Sequence, residues 1–206
     1  PVMPDTPGIE HAISSNEAFH LEDLPRRVVI VGGGFIAVEF AGIFNGLGSV
    51  VIQLYRGEQI LRGFDDDVRA MLAQEMRKKG IDVRVKEDVA RIDKTGGHLE
   101  ITCKSGDVVA PDTILYATGR SPNTAGMGLE DVGVKLGPKG EVVVDEWSRT
   151  SVENIYAVGD ITDRINLTPV ALNEGLCFSE TLYGNSPRKM DHTNVASAVF
   201  SQPSVS

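Results

Sequence analysis

Ten residues near the start of the chain decide its fold: VVIVGGGFIA, residues 28–37. The first four are β-branched and uninterrupted, which is typical of a strand buried on both faces of a parallel sheet. The glycines that follow make a G-x-G-x-x-A turn. In such a turn Gly32 permits a tight bend, Gly34 leaves room for a diphosphate, and Ala37 lets helix and strand approach closely. The stretch therefore predicts a dinucleotide-binding turn, with the N-terminus of the next helix facing the anion.

The sequence on either side of this turn predicts a doubly wound, Rossmann-like α/β domain. Apolar residues recur every three or four positions from Ile36 to Leu47, and a second apolar run covers 50–55. Strand, helix and strand thus make one parallel crossover. The later predicted elements are a helix at 64–79, a parallel strand at 81–85, an antiparallel meander at 89–92, 99–103 and 108–109, strands at 114–117, 141–144 and 155–158, and a helix at 169–183 with Thr168 as its cap.

The end of the second strand predicts which nicotinamide cofactor binds. An Asp or Glu there would bind the ribose 2′-hydroxyl of NAD, but this chain has Tyr55. Arg56 follows at once and Arg62 comes six residues later. Two guanidinium groups and no acid at this position favour the 2′-phosphate of NADPH. The alternative is two ordinary surface arginines.

Composition and charge exclude several classes of partner. The formal net charge is -9, so a nucleic acid backbone or an anionic membrane would be repelled. No apolar stretch approaches the roughly 20 residues that span a bilayer. Cys103 and Cys177 form no short-spaced redox or metal motif, and the four histidines have no metal-ligand spacing. We expect no metal, no catalytic residue among these groups, structural or surface histidines, and a reducing, cytoplasmic compartment.

Six blocks of sequence together resemble one enzyme family, the pyridine nucleotide-disulfide oxidoreductases. They are GGGFIAVE at 32–39, YR at 55–56, ILRGFD at 60–65, ATGRSPN at 117–123, IYAVGD at 155–160 and LTPVA at 167–171. The blocks fall in the family's order over essentially the whole chain. The Tyr55-Arg56 pair is most similar to the NADPH-dependent members that reduce glutathione disulfide.

The resemblance implies roles for individual residues in the nicotinamide half of the site. Phe35 occupies the place of an aromatic lid over the nicotinamide pocket, and Ile36 follows it at the start of the helix. Glu39 matches an acid that pairs with a lysine near the flavin. That lysine is absent here, so Glu39 is expected to be solvated.

Four further residues are implied to contact cofactor beyond the glycine turn. Gly119 and Arg120 belong to the A-T-G-R-x-P-N turn. Asp160 matches an acid that hydrogen-bonds FAD, and the helix start at Thr168 would direct partial positive charge at the flavin. Only one G-x-G-x-x-A unit is present, so we expect FAD to be held only in a longer protein.

The resemblance also implies how the chain is divided and what it lacks. The expected division is a segment of an FAD domain at 1–23, the NADPH-binding domain at 24–145, a second FAD-domain segment at 146–190, and the start of a dimer-interface domain at 191–206. The whole enzyme would be a homodimer that passes electrons from NADPH through FAD and a cysteine pair to glutathione disulfide. The redox cysteines and the acid-base histidine are not in these residues, so we expect the chain alone to be inactive.

Three alternatives stay open at this stage. The chain could be a non-catalytic module that binds NADPH, or a structural remnant without activity. It could also derive from another NADPH-dependent member of the family, such as one that reduces trypanothione.

Overall fold

The computed structural model describes all residues, Pro1–Ser206. The chain divides into two compact units. The first comprises Pro1–Arg120 together with Ala198–Ser206, and the second comprises Ser121–Ser197. The four-segment division expected from the resemblance stays a prediction.

A four-stranded parallel sheet forms the centre of the first unit. Its strands lie in the order β3-β2-β1-β7. Their bounds are β1 Arg27–Val31, β2 Val50–Tyr55, β3 Asp82–Val85 and β7 Thr113–Tyr116. Every pairing is parallel, which confirms the predicted doubly wound α/β architecture.

Three α-helices accompany this sheet. They are α1 Ser15–Ala18, α2 Phe35–Gly46 and α3 Asp66–Lys78, and a short 3₁₀ helix, Ile9–His11, precedes them. Helix α3 begins two residues later than predicted, because the Asp65 carboxylate accepts hydrogen bonds from the N–H groups of Asp67 and Val68 and caps the helix.

The predicted meander is present as a separate three-stranded antiparallel sheet. Its strands are β4 Val89–Thr95, β5 His98–Cys103 and β6 Val108–Val109, in that order. Two apolar clusters fill the unit. One joins residues of the parallel sheet to α2 and α3, and the other joins the opposite face of that sheet to β4 and β5.

The second unit contains less regular structure than predicted. The expected strands at 141–144 and 155–158 are wrong, since only single bridges form, Leu136 with Val142 and Arg149 with Tyr156. The N–H groups of Val142 and Val143 donate to different segments, at Ile161 and Lys135, so no ladder is built.

One helix, α4 Thr168–Tyr183, organises the second unit, behind a 3₁₀ helix at Gly159–Thr162. Thr168 is not the cap that the sequence predicted. Leu167 holds the cap position, Thr168 is the first helical residue, and no side chain caps the helix. Pro169 lies in the first turn as expected. Neither unit contains a helix with the length and the apolar character that spanning a bilayer requires.

Candidate functional site

The glycine turn lies between the end of β1 and the start of α2. Gly32 has φ of 146°, a conformation that essentially only glycine adopts. A Cβ atom there would overlap the Ala117 carbonyl and would lie 3.2 Å from the Cβ of Ala37. Gly32 and the fully buried Ala37 therefore allow β1, β7 and α2 to meet at one corner.

This corner presents unpaired backbone donors. The N–H groups of Gly33 and Gly34 donate to no protein atom, and no side chain caps α2. Gly34 is exposed, and a Cβ there would meet nothing within 4 Å. A diphosphate would fit this corner, because it offers open space, free N–H groups and the positive end of a 12-residue helix.

The arginine-bearing loop is fastened to the same corner. The ring of Tyr55 packs on the backbone of Gly33 and Gly57 so closely that neither could carry a Cβ. The N–H of Leu61 donates to the Gly33 carbonyl at 2.6 Å. These contacts hold residues 56–62 beside the dinucleotide turn, although the turn and the loop are separate in sequence.

Arg56 and Arg62 are exposed, and neither makes an ion pair or a side-chain hydrogen bond. The loop does contain one acid, Glu58, whose carboxylate forms an ion pair with Lys86 at 3.0 Å. Two free guanidinium groups are thus available to an anion next to the corner.

The other residues predicted for the first unit lie around the carboxyl ends of the same strands. Phe35 is 46% exposed at the start of α2, and Ile36 is partly buried against the core. Glu39 is not simply solvated as expected, because its Oε1 accepts the N–H of Phe200 at 2.8 Å. Gly119 and Arg120 are exposed and follow β7.

Asp160 and Thr168 belong to the second unit. Asp160 is exposed within the 3₁₀ helix, and Thr168 is exposed at the start of α4. The N–H of Gly159, just before Asp160, donates to Oε2 of Glu174 at 2.6 Å.

Glu174 anchors a buried ionic network that the sequence analysis missed. Its side chain is 0% exposed, and its Oε1 lies 2.9 Å from Arg164 and 2.7 Å from Nε2 of His192. His192 was expected to be structural or at the surface, and its contact with the buried Glu174 makes it structural. A usable signal was present, since Val170, Glu174 and Cys177 are the buried residues of α4 and an acid on an apolar helix face needs partners.

A second missed residue is Gln53, in the middle of β2. It is fully buried, and its Nε2 donates to the Gly32 carbonyl at 3.0 Å. A lone amide within the apolar run VVIQLY was the signal for it.

The cysteines do not have the properties of redox-active thiols. Both are buried and free. Burial raises the pKa of the Cys103 thiol, which disfavours the reactive thiolate. No group of three or more His, Cys, Asp or Glu side chains is arranged to hold a metal ion.

Comparison with known proteins relates this geometry to one family. A family model described as pyridine nucleotide-disulphide oxidoreductase matches residues 1–175. A glutathione reductase of Burkholderia cepacia is 51% identical over 98% of this chain and 45% of its own length. A trypanothione reductase of Trypanosoma congolense is 52% identical over 100% of this chain and 42% of its own length.

Solved structures agree with these sequence matches. The HOCl-induced flavoprotein disulfide reductase RclA from Escherichia coli superposes with a TM-score of 0.93 at 32% identity, over 99% of this chain and 48% of that protein. The chain thus spans less than half the length of these relatives. The predicted resemblance is confirmed, and the chain belongs to the pyridine nucleotide-disulphide oxidoreductase family.

Proposed function

We propose that this chain is the NADPH-binding portion of a flavoprotein disulfide reductase whose substrate is glutathione disulfide. One observation carries the proposal. The unpaired N–H groups of the glycine corner and the unpaired guanidinium groups of Arg56 and Arg62 lie together, where a diphosphate and an adenosine phosphate of one dinucleotide could bind at once.

The two arginines set the expected preference for NADPH over NADH. A hydrogen bond to a charged group contributes about 1.5 to 3 kcal/mol, so two of them favour NADPH by at most ~3 to 6 kcal/mol. This range corresponds to roughly two to four decades in affinity. Because both side chains are exposed, solvent screening moves the expectation to the lower end.

Titration of the purified chain with NADPH and NADH tests the proposal. We expect Arg56→Ala/Arg62→Ala to raise the Kd for NADPH by about 100-fold and to change the Kd for NADH by less than about threefold. The matched control is Lys79→Ala/Lys94→Ala, which removes two exposed, unpaired cations elsewhere. Equal losses for both cofactors, or the same loss in the control, would refute the assignment.

FAD is the second cofactor of the proposal, and the second unit offers residues that suit it. Asp160 is exposed, and the Gly159–Glu174 hydrogen bond fixes the turn that carries it. The N–H of Thr168, at the start of α4, has no acceptor within the chain, and no side chain caps the helix, so this N–H could donate to the electron-rich edge of a flavin. When bound, the flavin would accept the hydride of NADPH. Residues 24–145 would then form the NADPH-binding domain, flanked by FAD-domain segments at 1–23 and 146–190 and by the start of an interface domain at 191–206.

We further propose that the 206 residues alone do not reduce glutathione disulfide, because their only cysteines, Cys103 and Cys177, are buried and free. Oxidation of NADPH by purified chain in the presence of glutathione disulfide would overturn this. The whole enzyme is proposed to be a homodimer in a reducing, cytoplasmic compartment. Trypanothione disulfide is the competing substrate, favoured by the 52% identity to a trypanothione reductase, and parallel assays of the whole enzyme with both disulfides would decide between them.

A further inference from the structure

Gln53 is an anomaly within the core of the parallel sheet. It lies in β2, where it pairs in register with Ile30 of β1 and Val83 of β3. Its side chain is 0% exposed. A polar amide at such a position loses its hydration, and only hydrogen bonds within the protein can compensate for the loss.

The compensation at Gln53 is incomplete. The Nε2 group donates to the Gly32 carbonyl at 3.0 Å, but the buried Oε1 has no hydrogen-bond partner. An apolar side chain of similar length would fill the same volume and remove the unpaired Oε1, although it would leave the Gly32 carbonyl without its donor. The amide therefore brings an unpaired acceptor into the core, and its presence there points to a role outside the stability of the core.

The hydrogen bond acts on the peptide unit that joins Gly32 to Gly33. The N–H of Gly32 is held by the sheet, through the Leu54 carbonyl at 2.9 Å, and the carbonyl of Gly32 is held by Gln53. In a trans peptide the C=O and the following N–H point in opposite directions. With its carbonyl directed at buried Gln53, this peptide must direct the Gly33 N–H away from Gln53.

The backbone around this peptide cannot fix that orientation alone. Two glycines flank the bond, and glycine accepts a wide range of backbone angles. The Gly33 N–H also has no protein partner that would hold it from the other side. The Gln53 amide makes the only hydrogen bond to this peptide unit itself before any ligand binds, while Tyr55 and Leu61 contact Gly33 beside it.

We propose that Gln53 is a positioning residue for the dinucleotide diphosphate, orienting the Gly33 N–H for its phosphate oxygens. This role rests on the proposed function and deepens it. Because Gln53 is fully buried, it would act on the cofactor only through the Gly32–Gly33 peptide. Because NADPH and NADH share the diphosphate, its effect must be the same for both, unlike that of Arg56 and Arg62.

The test replaces Gln53 by Met, which keeps the length of the side chain and removes the donor. Leu54→Met is the matched control, since Leu54 is the next residue of β2, is equally buried and faces the other core cluster. We expect Gln53→Met to raise the Kd values of NADPH and NADH alike, by about three- to tenfold, with an unchanged ratio between them. Its Tm should stay within a few degrees of that of the unmodified chain, because removing the unpaired Oε1 offsets the loss of the hydrogen bond to Gly32.

Leu54→Met should leave both Kd values within about twofold. Unchanged affinity in Gln53→Met, beside an unmodified chain that binds NADPH, would overturn the positioning role and leave the proposed function standing. Failure of the unmodified chain to bind either dinucleotide would overturn both. If Gln53→Met and Gln53→Leu both failed to fold, the amide would be a structural requirement and the inference would be wrong.

Discussion

Gly32 and Gly34 belong to one turn, but different constraints act on them. At Gly32 both the backbone angle and the neighbouring Ala117 carbonyl exclude a side chain. At Gly34 the backbone has φ of -83° and ψ of 179°, an extended conformation that any residue can adopt. Since open space surrounds Gly34, only a bound ligand would require glycine there.

Alanine substitutions should separate these two constraints. We expect Gly32→Ala to lower the free energy of unfolding by about 1 to 3 kcal/mol or more, from backbone strain and overlap. Gly34→Ala should change it by less than about 0.5 kcal/mol and still weaken NADPH binding at least about tenfold, because its methyl group would occupy the diphosphate position. Urea unfolding and fluorescence titration measure the two effects. Normal NADPH affinity in Gly34→Ala would contradict the placement of the diphosphate.

Residues whose role depends on local sequence were predictable at this scale. Gly32, Gly34 and the Arg56-Arg62 pair carry their signal in a short motif or at a strand end. The lone amide of Gln53 was visible within its apolar run, but its role was not, because its partner Gly32 lies 21 positions away in the chain. The hydrogen bond exists only when β1 and β2 lie side by side. The contact of Glu39 with Phe200 spans 161 positions and was invisible for the same reason.

Strands that pair along their whole length with a neighbouring strand were predicted well, and segments without such a partner were not. The segment 50–55 is a strand with both of its edges paired, to β1 and to β3, so β-branched composition and tertiary pairing agree. The segments 141–144 and 155–158 have similar composition, but each makes only one bridge. Strand propensity reflects how well a side chain packs on a pleated sheet. A segment with high propensity does not form a strand unless another strand pairs with it along its length.

Helix α4 should depend strongly on the single acid that it buries. Glu174 accepts the N–H of Gly159, forms an ion pair with Arg164 and lies 2.7 Å from Nε2 of His192. Removing one partner of a buried ionic network leaves the others uncompensated. We expect Glu174→Ala to lower the free energy of unfolding by about 2 to 4 kcal/mol, near the lower limit for buried pairs because Arg164 and His192 are 25% and 27% exposed and can rehydrate.

Amide hydrogen exchange along α4 would report this change locally. Glu174→Gln, which keeps the shape and the acceptor oxygen, should lose less protection than Glu174→Ala. The matched control Glu180→Ala removes an acid from the same helix whose side chain is 33% exposed, and it should be nearly neutral. Equal protection in Glu174→Ala and Glu180→Ala would show that the network does not hold the helix.

Across the whole molecule, two kinds of titratable group affect the range of pH in which the chain is stable: carboxyl groups whose pKa the fold lowers and a phenol whose pKa the fold raises. Hydrogen bonds from Lys139 and Asn166 lower the pKa of Asp163, and a hydrogen bond from Ser105 lowers that of Glu87. A carboxyl group with a lowered pKa stabilises the fold above its ordinary pKa near 4, and this stabilisation is lost as the pH falls. Acid should therefore destabilise both units.

One buried phenol contributes to the loss of stability at alkaline pH. Burial raises the pKa of Tyr116 from 10.0 to about 12. Between these values the unfolded chain loses a proton that the folded chain keeps, so stability must fall as the pH rises from about 10 to 12. Tyr116→Phe removes this proton and should flatten the fall in Tm over that interval. The exposed Tyr183→Phe, at 80% exposure, should not. Both variants share the growing negative charge of the chain, so a Tyr116→Phe profile identical to that of Tyr183→Phe would assign the alkaline loss to general charge repulsion and not to the buried phenol.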